Sequence, residues 1–599
     1  MPVAREAHRA GWSREPDIML ESPPLISVLI PTFNRRNVLE RTLPTLFQQD
    51  FPADRFEVVV VVDGSSDGTI EFLRKLASPC SMYIVEQPNE GPAAARNAGL
   101  RTAHGELILF LDDDILCPPN LLRFHAEAHV GHAFRVAFGP IRISRGSAET
   151  LATDFARNGA MERNKSLDAG VLPRIGDLCL DPNSSLPRAL LTQLGEFNEE
   201  FGAARETADM ALRLRSAGAE FFYLRNAVVE HIYLKETSRL ARDEALDDGQ
   251  KEVLLCREHP AYRADSPLAA LAEGGRTRIF LRRMIATLSV VDPFIALPLW
   301  FCERFRSIGA VQRLGIRLLG WRRTANFLRG ATRRAGSWRA LIAEFGAALP
   351  VLIYHHIGPA APGTYPELTL SAQRFEQHLR WLTRLGYCGI TSSQWNEWRT
   401  RARALPHKPV LITFDDAYAD NATCAFPLLK RYKFPATVFV VANEVGGTNR
   451  WDEDLGSGTH RLMDAHQIGT GAAEGVEFAA HGLTHRDLTE IQAVPAREEI
   501  VRSGDLVASL AGAHVSSFAY PYGSVNVDAE AAARSRFDLA FTTEEGLNTL
   551  ATNPFRLRRT MVLPDDGYSD LVSRLRLGYS LRRKVIAWLS LARRRWLLG

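Results

Sequence analysis

Short apolar runs that stop at a polar or acidic residue constrain this chain more than any other feature. Residues 26–34 (ISVLIPTFN), 57–63 (EVVVVVD) and 107–111 (LILFL, followed by Asp112) each read as a buried strand. Between the first two, residues 38–48 place Leu39, Leu43 and Leu46 at helical spacing. Strands alternating with helices predict a parallel sheet with right-handed crossovers, whose ligands sit outside the carboxyl ends of the strands. Asn34, Asp63 and Asp112 fall there. The pattern restarts at Pro350: residues 351–354 (VLIY), 410–414 (VLITF), 437–442 (TVFVVA) and 517–520 (SFAY) read as strands, and 374–385 as a helix between them. The expectation is therefore α/β twice over: two bodies with different motifs and no internal repeat. Residues 261–345 lie between them with little strand character, and 599 residues are ample for both bodies.

Charge is distributed unevenly. Residues 275–340 hold fourteen arginines against two acids, Asp292 and Glu303, and residues 574–599 hold eight basic residues and no acid. With a chain total of +3, the +12 and +8 of these segments leave the remainder at −17. Acidic bodies with two basic segments argue against nucleic acid as a partner and for an anionic membrane surface. Met284–Cys302 is the longest apolar stretch at 19 residues, but Asp292, Pro293 and Pro298 interrupt it. A central Asp costs about 2.5–3.5 kcal/mol on insertion scales, so an interfacial segment, a buried hairpin and a span all remain open. The C-terminal LRRKVIAWLSLARRRWLLG reads as a basic amphipathic helix at a membrane surface, or as a terminal helix packed on its own body. Seven cysteines without a C-x-x-C pair read as reduced thiols, and residues 1–24 as a disordered lead-in without a signal-peptide core. The location expected is cytoplasmic, peripheral at the inner membrane face.

Asp112-Asp113-Asp114 directly follows the strand LILFL. In an extended segment alternate residues share a face, so Asp112 and Asp114 can converge on one ion while Asp113 points away. A divalent cation held by carboxylates neutralises a diphosphate leaving group. Four ordered motifs, SVLIPTFNRRNVLERTL, VVDGSSDGT, NEGPAAARNAGL and FLDDDILCPPN, resemble family 2 glycosyltransferases of the GT-A (Rossmann-like) fold. The resemblance covers roughly residues 25–235. It implies a nucleotide-sugar donor, a glycan or lipid-linked acceptor, and Mg²⁺ or Mn²⁺. It further implies that Thr32 and Asp63 contact base and ribose, that Arg96 and Asn97 border the nucleotide pocket, and that Asp112 and Asp114 are the D-x-D acids. In the later family stretch E-D-x-[DE]-L-x-x-R-L, Thr207 stands where the family base should be, and threonine is no general base near neutral pH. Glu206 or Asp209 is the replacement expected, the alternatives being a module that no longer transfers or, for the whole chain, a non-enzymatic membrane-associated scaffold. His231 matches a late metal-ligating His of some relatives.

In the second body, Thr413-Phe414-Asp415-Asp416 ends a strand, and neighbouring carboxylates there diverge, so one can ligate a metal while the other acts as base. His481 and His485 stand at i, i+4, which on a helical turn share one face. Two imidazoles and a carboxylate with open positions suit amide hydrolysis. With PVLIYHHIG, LTLSAQRFEQHLRWLTRLGY, FPATVFVV and FAYPYGS, these motifs resemble carbohydrate esterase family 4, the NodB-type polysaccharide deacetylases with a distorted (β/α) barrel, over about 349–565. The resemblance implies Asp415 as base, Asp416, His481 and His485 as ligands of Zn²⁺ or another divalent metal, and the Tyr522 backbone amide in the oxyanion pocket. Two departures stand out. The family arginine that orients the base falls on Ala519, and the late histidine that serves as acid has no match, residues 556–561 (RLRRTM) occupying its region. His355 and His356 are candidates for lining the cleft.

The domain organisation expected is thus a lead-in (1–24), a transferase body (25–260), a basic helical linker (261–345), a deacetylase body (346–570) and a basic C-terminal helix (571–599).

Overall fold

The valine run of residues 58–62 shows why the first sheet forms. Val58, Val60 and Val62 pack with Leu39, Leu43 and Leu46 on one face, while Val59 and Val61 pack with Ala93, Ala95 and Ile108 on the other. Both faces are covered, so the strand needs no polar alternation. The computed structural model describes residues 25–171, 180, 182–202, 204–287, 291–359, 367–401, 403–455 and 459–588. The expected lead-in at 1–24 and the last part of the basic tail lie outside the described residues.

The chain falls into two units, Met1–His259 with Arg282–Trp338, and Pro260–Leu281 with Arg339–Gly599. The first holds a seven-stranded sheet in the order Ser81–Gln87, Phe56–Asp63, Ile26–Thr32, Leu107–Phe110, Ser184–Pro187, Arg135–Phe138, Glu220–Tyr223. The first four strands are parallel, and Ser184–Pro187 runs antiparallel to both neighbours. The chain order reverses between Ile26–Thr32 and Leu107–Phe110, so a ligand crevice opens at the carboxyl ends of these two strands. Thr32 and Asp112 emerge there. A small second sheet places Val229–His231 between Ile115–Leu116 and Ile141–Ile143.

Helices Val291–Arg304 and Gly309–Ala335 belong to this unit as well. Leu299, Cys302 and Leu319 share a core with Leu151, Tyr233 and Leu240. Gly309–Ala335 crosses Ala245–Glu258 at backbone contact: a Cβ on Gly330 would stand 1.9 Å from the Leu246 carbonyl oxygen, and one on Gly249 1.9 Å from that of Phe327. Neither backbone can yield within its helix. Gly330→Ala is therefore expected to destabilise this unit by about 3 kcal/mol, read as a lowered midpoint in denaturant melts. Among the described residues no helix is long and apolar enough to cross a membrane.

The second unit is a parallel sheet in the order Leu539–Phe541, Ser517–Ala519, Glu477–Ala480, Thr437–Val440, Pro409–Phe414, Val351–Tyr354, Thr560–Met561, with Cys388–Ile390 also on Pro409–Phe414. This is the open half of a (β/α) barrel. Its core runs through Leu352, Ile412, Val438 and Phe518, with Phe375, Leu379 and Leu382 of helix Ala372–Arg384. The basic C-terminal segment is not one continuous helix: Tyr568–Leu577 ends at Gly578 in a left-handed conformation (φ 81°). Three of its arginines are held by acids of the same unit, Arg574 by Asp566, Arg582 by Asp570 and Arg583 by Asp565.

Candidate active sites

In the second unit, Asp415 and Asp416 leave the carboxyl end of Pro409–Phe414, and His481 leaves that of Glu477–Ala480. His481 Nε2 is 3.5 Å and His485 Nε2 3.3 Å from Asp416 Oδ1. One ligand atom from each of the three residues lies within 4.8 Å of the others, the one such set of three among the described residues. The two imidazoles do not share a helical turn, as their spacing predicts. Gly482 (φ 82°) and His485 (φ 60°) are left-handed, and the loop is tied down by Glu499, which accepts from Leu483 N, Thr484 N and Thr484 Oγ1 at 2.6–3.0 Å. Asp416 (φ 70°) and Tyr522 (φ 59°) are left-handed too. Non-glycine residues in that region cost about 1–3 kcal/mol each and cluster where a fixed geometry is used.

The site fits a divalent cation. Asp416 Oδ1 is buried without a hydrogen-bond partner. Burial, then the neighbouring Asp415 and Asp452 charges, push the Asp416 carboxyl far above the ordinary carboxylate range. Burial pushes both His481 and His485 down, so the rings are neutral donors. His481 Nδ1 donates to the Ala519 carbonyl at 2.8 Å, which leaves Nε2 as the ligating atom. The ring of His485 lies between Trp451, stacked at 4.6 Å, and Tyr522 at 4.7 Å.

Asp415 has a counter-charge that the motifs did not disclose. Arg559 donates from Nη1 to Asp415 Oδ1 at 2.6 Å and from Nη2 to Oδ2 at 2.9 Å, and from Nε to the Thr542 carbonyl at 3.0 Å. Burial acts to raise Asp415, but Arg559, then His481 and His355, outweigh it and hold the carboxyl down at about 2. The guanidinium on Asp415 thus comes from the residue before strand Thr560–Met561, not from position 519. Burial lowers His355 to about 4, with Asp415 and Arg559 beside it. His356 is spent on packing: Nδ1 meets Asp420 Oδ2 at 2.8 Å, and the ring stacks on Tyr418 at 3.6 Å.

In the first unit, residues 112–114 form a turn rather than an extended segment. Asp113 does not point away: Thr32 Oγ1 donates to its Oδ2 at 2.7 Å. Burial, then the Asp114 charge, push Asp113 up to about 7. Asp114 Oδ1 is 3.0 Å from His231 Nε2, because Val229–His231 pairs with Ile115–Leu116 and Ile232 N donates to Asp114 O. Burial opposes charge on His231, yet Asp114 and Asp112 hold its pKa above the ordinary histidine value. Asp114 and His231 thus meet directly, but Asp112 does not join them in a set of three within 4.8 Å of one another among the described residues; carboxylate oxygens and an imidazole are donors that Mg²⁺ or Mn²⁺ accept. Arg96 bridges Asp112 Oδ1 (3.3 Å) and Glu206 Oε1 (2.7 Å). Burial lifts the Glu206 carboxyl in spite of Arg96. Asp209 is turned elsewhere, held by His259 Nε2 at 2.7 Å and Arg213 Nε at 3.0 Å. Asp63 accepts from Gln87, Glu90 N and Gly91 N at 2.8–2.9 Å and so fixes the loop before helix Pro92–Thr102. Asn97 spends its amide on the chain, on Phe197 O and N and on Glu199.

The family profile described as Glycosyl transferase family 2 matches residues 27–179, and the one described as Polysaccharide deacetylase matches residues 402–537. The chain joins a family 2 glycosyltransferase domain to a polysaccharide deacetylase domain. The deacetylase domain is similar to a Bacillus subtilis protein named as a polysaccharide deacetylase, YxkH, with 28% identity over 222 residues, 37% of this chain and 74% of that protein. The transferase domain is similar to validoxylamine A glucosyltransferase of Streptomyces hygroscopicus subsp. jinggangensis, 32% identical over 225 residues, 33% of this chain and 52% of that one. It is also similar to the GalNAc(5)-diNAcBac-PP-undecaprenol beta-1,3-glucosyltransferase of Campylobacter jejuni, 37% identical over 140 residues, 23% of this chain and 43% of that one. The chain thus spans about half the length of these two glucosyltransferases.

Two residues of the deacetylase domain escaped sequence reasoning. Glu499 stands on a helix, Ala493–Ala511, as one polar residue among several. Arg559 precedes the two-residue strand Thr560–Met561, which pairs with Val351–Tyr354, itself the neighbour of Pro409–Phe414. Nothing periodic marks that strand; the one available signal is three arginines, Arg556, Arg558 and Arg559, before Thr560 where the family pattern has its late histidine.

Proposed function

We propose that the chain is a bifunctional carbohydrate enzyme of surface-polysaccharide synthesis. The transferase domain moves a sugar from a nucleotide-sugar to a glycan or lipid-linked acceptor, and the deacetylase domain hydrolyses the N-acetyl group of an amino sugar. The observation that carries the reading is the convergence of Asp416, His481 and His485 beside an ion-paired Asp415. A bound Zn²⁺ or similar cation would polarise the amide carbonyl and the attacking water. Asp415, fixed by Nη1 and Nη2 of Arg559, takes a proton from the water as its oxygen bonds to the carbonyl carbon, and that proton passes to the amide nitrogen as the C–N bond breaks, giving acetate and free amine. The backbone amide of Tyr522 faces the oxygen that gains charge.

In the transferase domain, Asp112, Asp114 and His231 would hold Mg²⁺ or Mn²⁺, which would supply charge neutralisation for the donor's diphosphate. Thr32, Asp63, Arg96 and Asn97 shape the nucleotide pocket, Asp63 and Asn97 by fixing its loops. Glu206 removes the proton of the acceptor hydroxyl. The undecaprenol-linked acceptor in the name of the Campylobacter relative supports a lipid-linked acceptor here. We place the protein at the cytoplasmic face of the membrane, held through its basic segments. A second reading, a deacetylase with a nucleotide-sugar module that does not transfer, is favoured by Thr207. Transfer assays with a panel of nucleotide-sugars separate the two, since tight nucleotide binding without turnover supports the module.

The deacetylase assignment is tested by two variants. Asp416→Ala is expected to lose stoichiometric metal, measured by elemental analysis, together with all deacetylation. Asp415→Asn is expected to keep the metal and lose about 10²–10⁴-fold in turnover on N-acetylated oligosaccharides. Full activity in Asp415→Asn would remove it as base.

A further inference from the structure

Helix Val291–Arg304 is apolar around most of its circumference, and among the described residues one side of it is covered by the protein's own core. Leu299 and Cys302 are buried, at 3% and 1% exposure, in the core with Leu151, Tyr233 and Leu319. On another face, Phe294, Leu297 and Phe301 continue through Phe305 to Ile308 at spacings of three and four residues. These five form one stripe. Each is 42–74% exposed, and Phe301 and Phe305 pack ring to ring at 4.6 Å. The next helix, Gly309–Ala335, adds exposed Leu314 and Trp321 one heptad apart. A monomer rarely leaves large apolar side chains contiguous in water.

The charges around the stripe identify what covers it. Arg304, Arg313 and Arg317 are exposed and have no acidic partner among the described residues. Glu303, the one acid with a described side chain between residues 291 and 335, is turned inward. It accepts from Leu151 N at 3.2 Å and Thr237 Oγ1 at 2.8 Å. An apolar stripe flanked by these unpaired arginines, with the exposed Glu149 held on Arg306, is complementary to an anionic bilayer surface, where rings enter the acyl boundary and guanidinium groups meet phosphates. The helix has 14 residues. At ~1.5 Å per residue it is about 21 Å long, too short for a hydrocarbon core of about 30 Å, so it lies in the interface.

We infer that the stripe from Phe294 to Ile308 is a membrane-docking face, and that anionic lipid is its occupant. This narrows the membrane contact proposed above to one surface of the first unit and rests on that reading. Glu303 and Tyr233 connect the surface to the strand that carries His231, so docking brings the transferase site to the bilayer that would hold a lipid-linked acceptor.

The test is co-sedimentation of the full-length protein with vesicles of phosphatidylglycerol and phosphatidylethanolamine, against vesicles of phosphatidylcholine alone. The readout needs no turnover, so it stands apart from the success or failure of either enzymatic assignment. Wild type is expected to pellet with the anionic vesicles and much less with the neutral ones. The double variant Leu297→Glu/Phe301→Glu should lose at least about tenfold in partitioning. The triple variant Arg304→Gln/Arg313→Gln/Arg317→Gln should lose its preference for anionic lipid. Both change exposed side chains, so an unchanged melting midpoint certifies their folding. A wild type that stays in the supernatant, or a double variant that pellets like wild type, overturns the proposal. So does a concentration-dependent dimer, seen by sedimentation velocity without lipid and abolished in the double variant, because the stripe would then be covered by a second copy.

Discussion

Arg559→Ala is expected to cost the deacetylase domain about 3–5 kcal/mol of stability and most of its activity. The guanidinium is fully buried, and its two nitrogens are bidentate on a buried carboxylate. Removing one partner of such a pair strands the other charge in a low-dielectric site, which carries this order of penalty. Arg559 also packs over the rings of Phe439 and Phe541, at 5.2 and 6.0 Å, so the truncation leaves a void between aromatic faces. Because the alanine variant risks unfolding, Arg559→Lys is the sharper probe. A lysine keeps the charge and loses the fork that fixes both carboxylate oxygens. The expectation is retained metal, a KM within a few-fold of wild type, and kcat lowered by about 10²-fold, the scale of a misplaced catalytic group. A folded Arg559→Lys protein with wild-type kcat would show that Asp415 needs no such clamp.

How much of this was legible in the sequence follows from what each feature rests on. The strands could be read because both their faces are buried: residues 58–62 serve two cores at once and so appear as an unbroken apolar run. Asp416, His481 and His485 could be named as candidate ligands because their motifs are local. Their geometry could not. Spacing of four suggests a helical turn, but Gly482 and His485 in left-handed conformations and a helix-borne Glu499 set the loop instead. Arg559 was invisible for a different reason. It reaches Asp415 across two strand pairings and 144 residues, and no periodicity links such positions. The turn at Asp112–Asp114 misled in the same way: alternation holds for extended backbone, and the chain leaves that geometry at the strand's end, so Asp113 faces inward to Thr32.

Glu206→Gln is expected to slow transfer by orders of magnitude while leaving the nucleotide-sugar site in place. Two acids of one helix, Glu206 and Asp209, point to different partners. Glu206 reaches the D-x-D acids through Arg96, which touches Glu206 at 2.7 Å and Asp112 at 3.3 Å. Three residues along, Asp209 faces His259 and Arg213, and Arg213 in turn donates to the Leu194 and Glu196 carbonyls at 3.0 and 2.8 Å. Asp209 thus braces the chain, whereas Glu206 is buried on Arg96 with a pKa raised by burial, which would suit a proton acceptor. The glutamine variant keeps shape and hydrogen bonding to Arg96 but cannot take a proton, so kcat should fall by about 10²–10⁴-fold with donor KM nearly unchanged. Asp209→Asn weakens one charge-assisted bond and should cost about 1–3 kcal/mol of stability, with kcat of the folded protein within about threefold of wild type. The inverse pattern, a dead Asp209→Asn and an active Glu206→Gln, would move the base to Asp209. If wild type binds nucleotide-sugar tightly yet transfers nothing from any donor, Thr207 has ended the chemistry, and the Glu206–Arg96–Asp112 chain is what remains of the site's architecture.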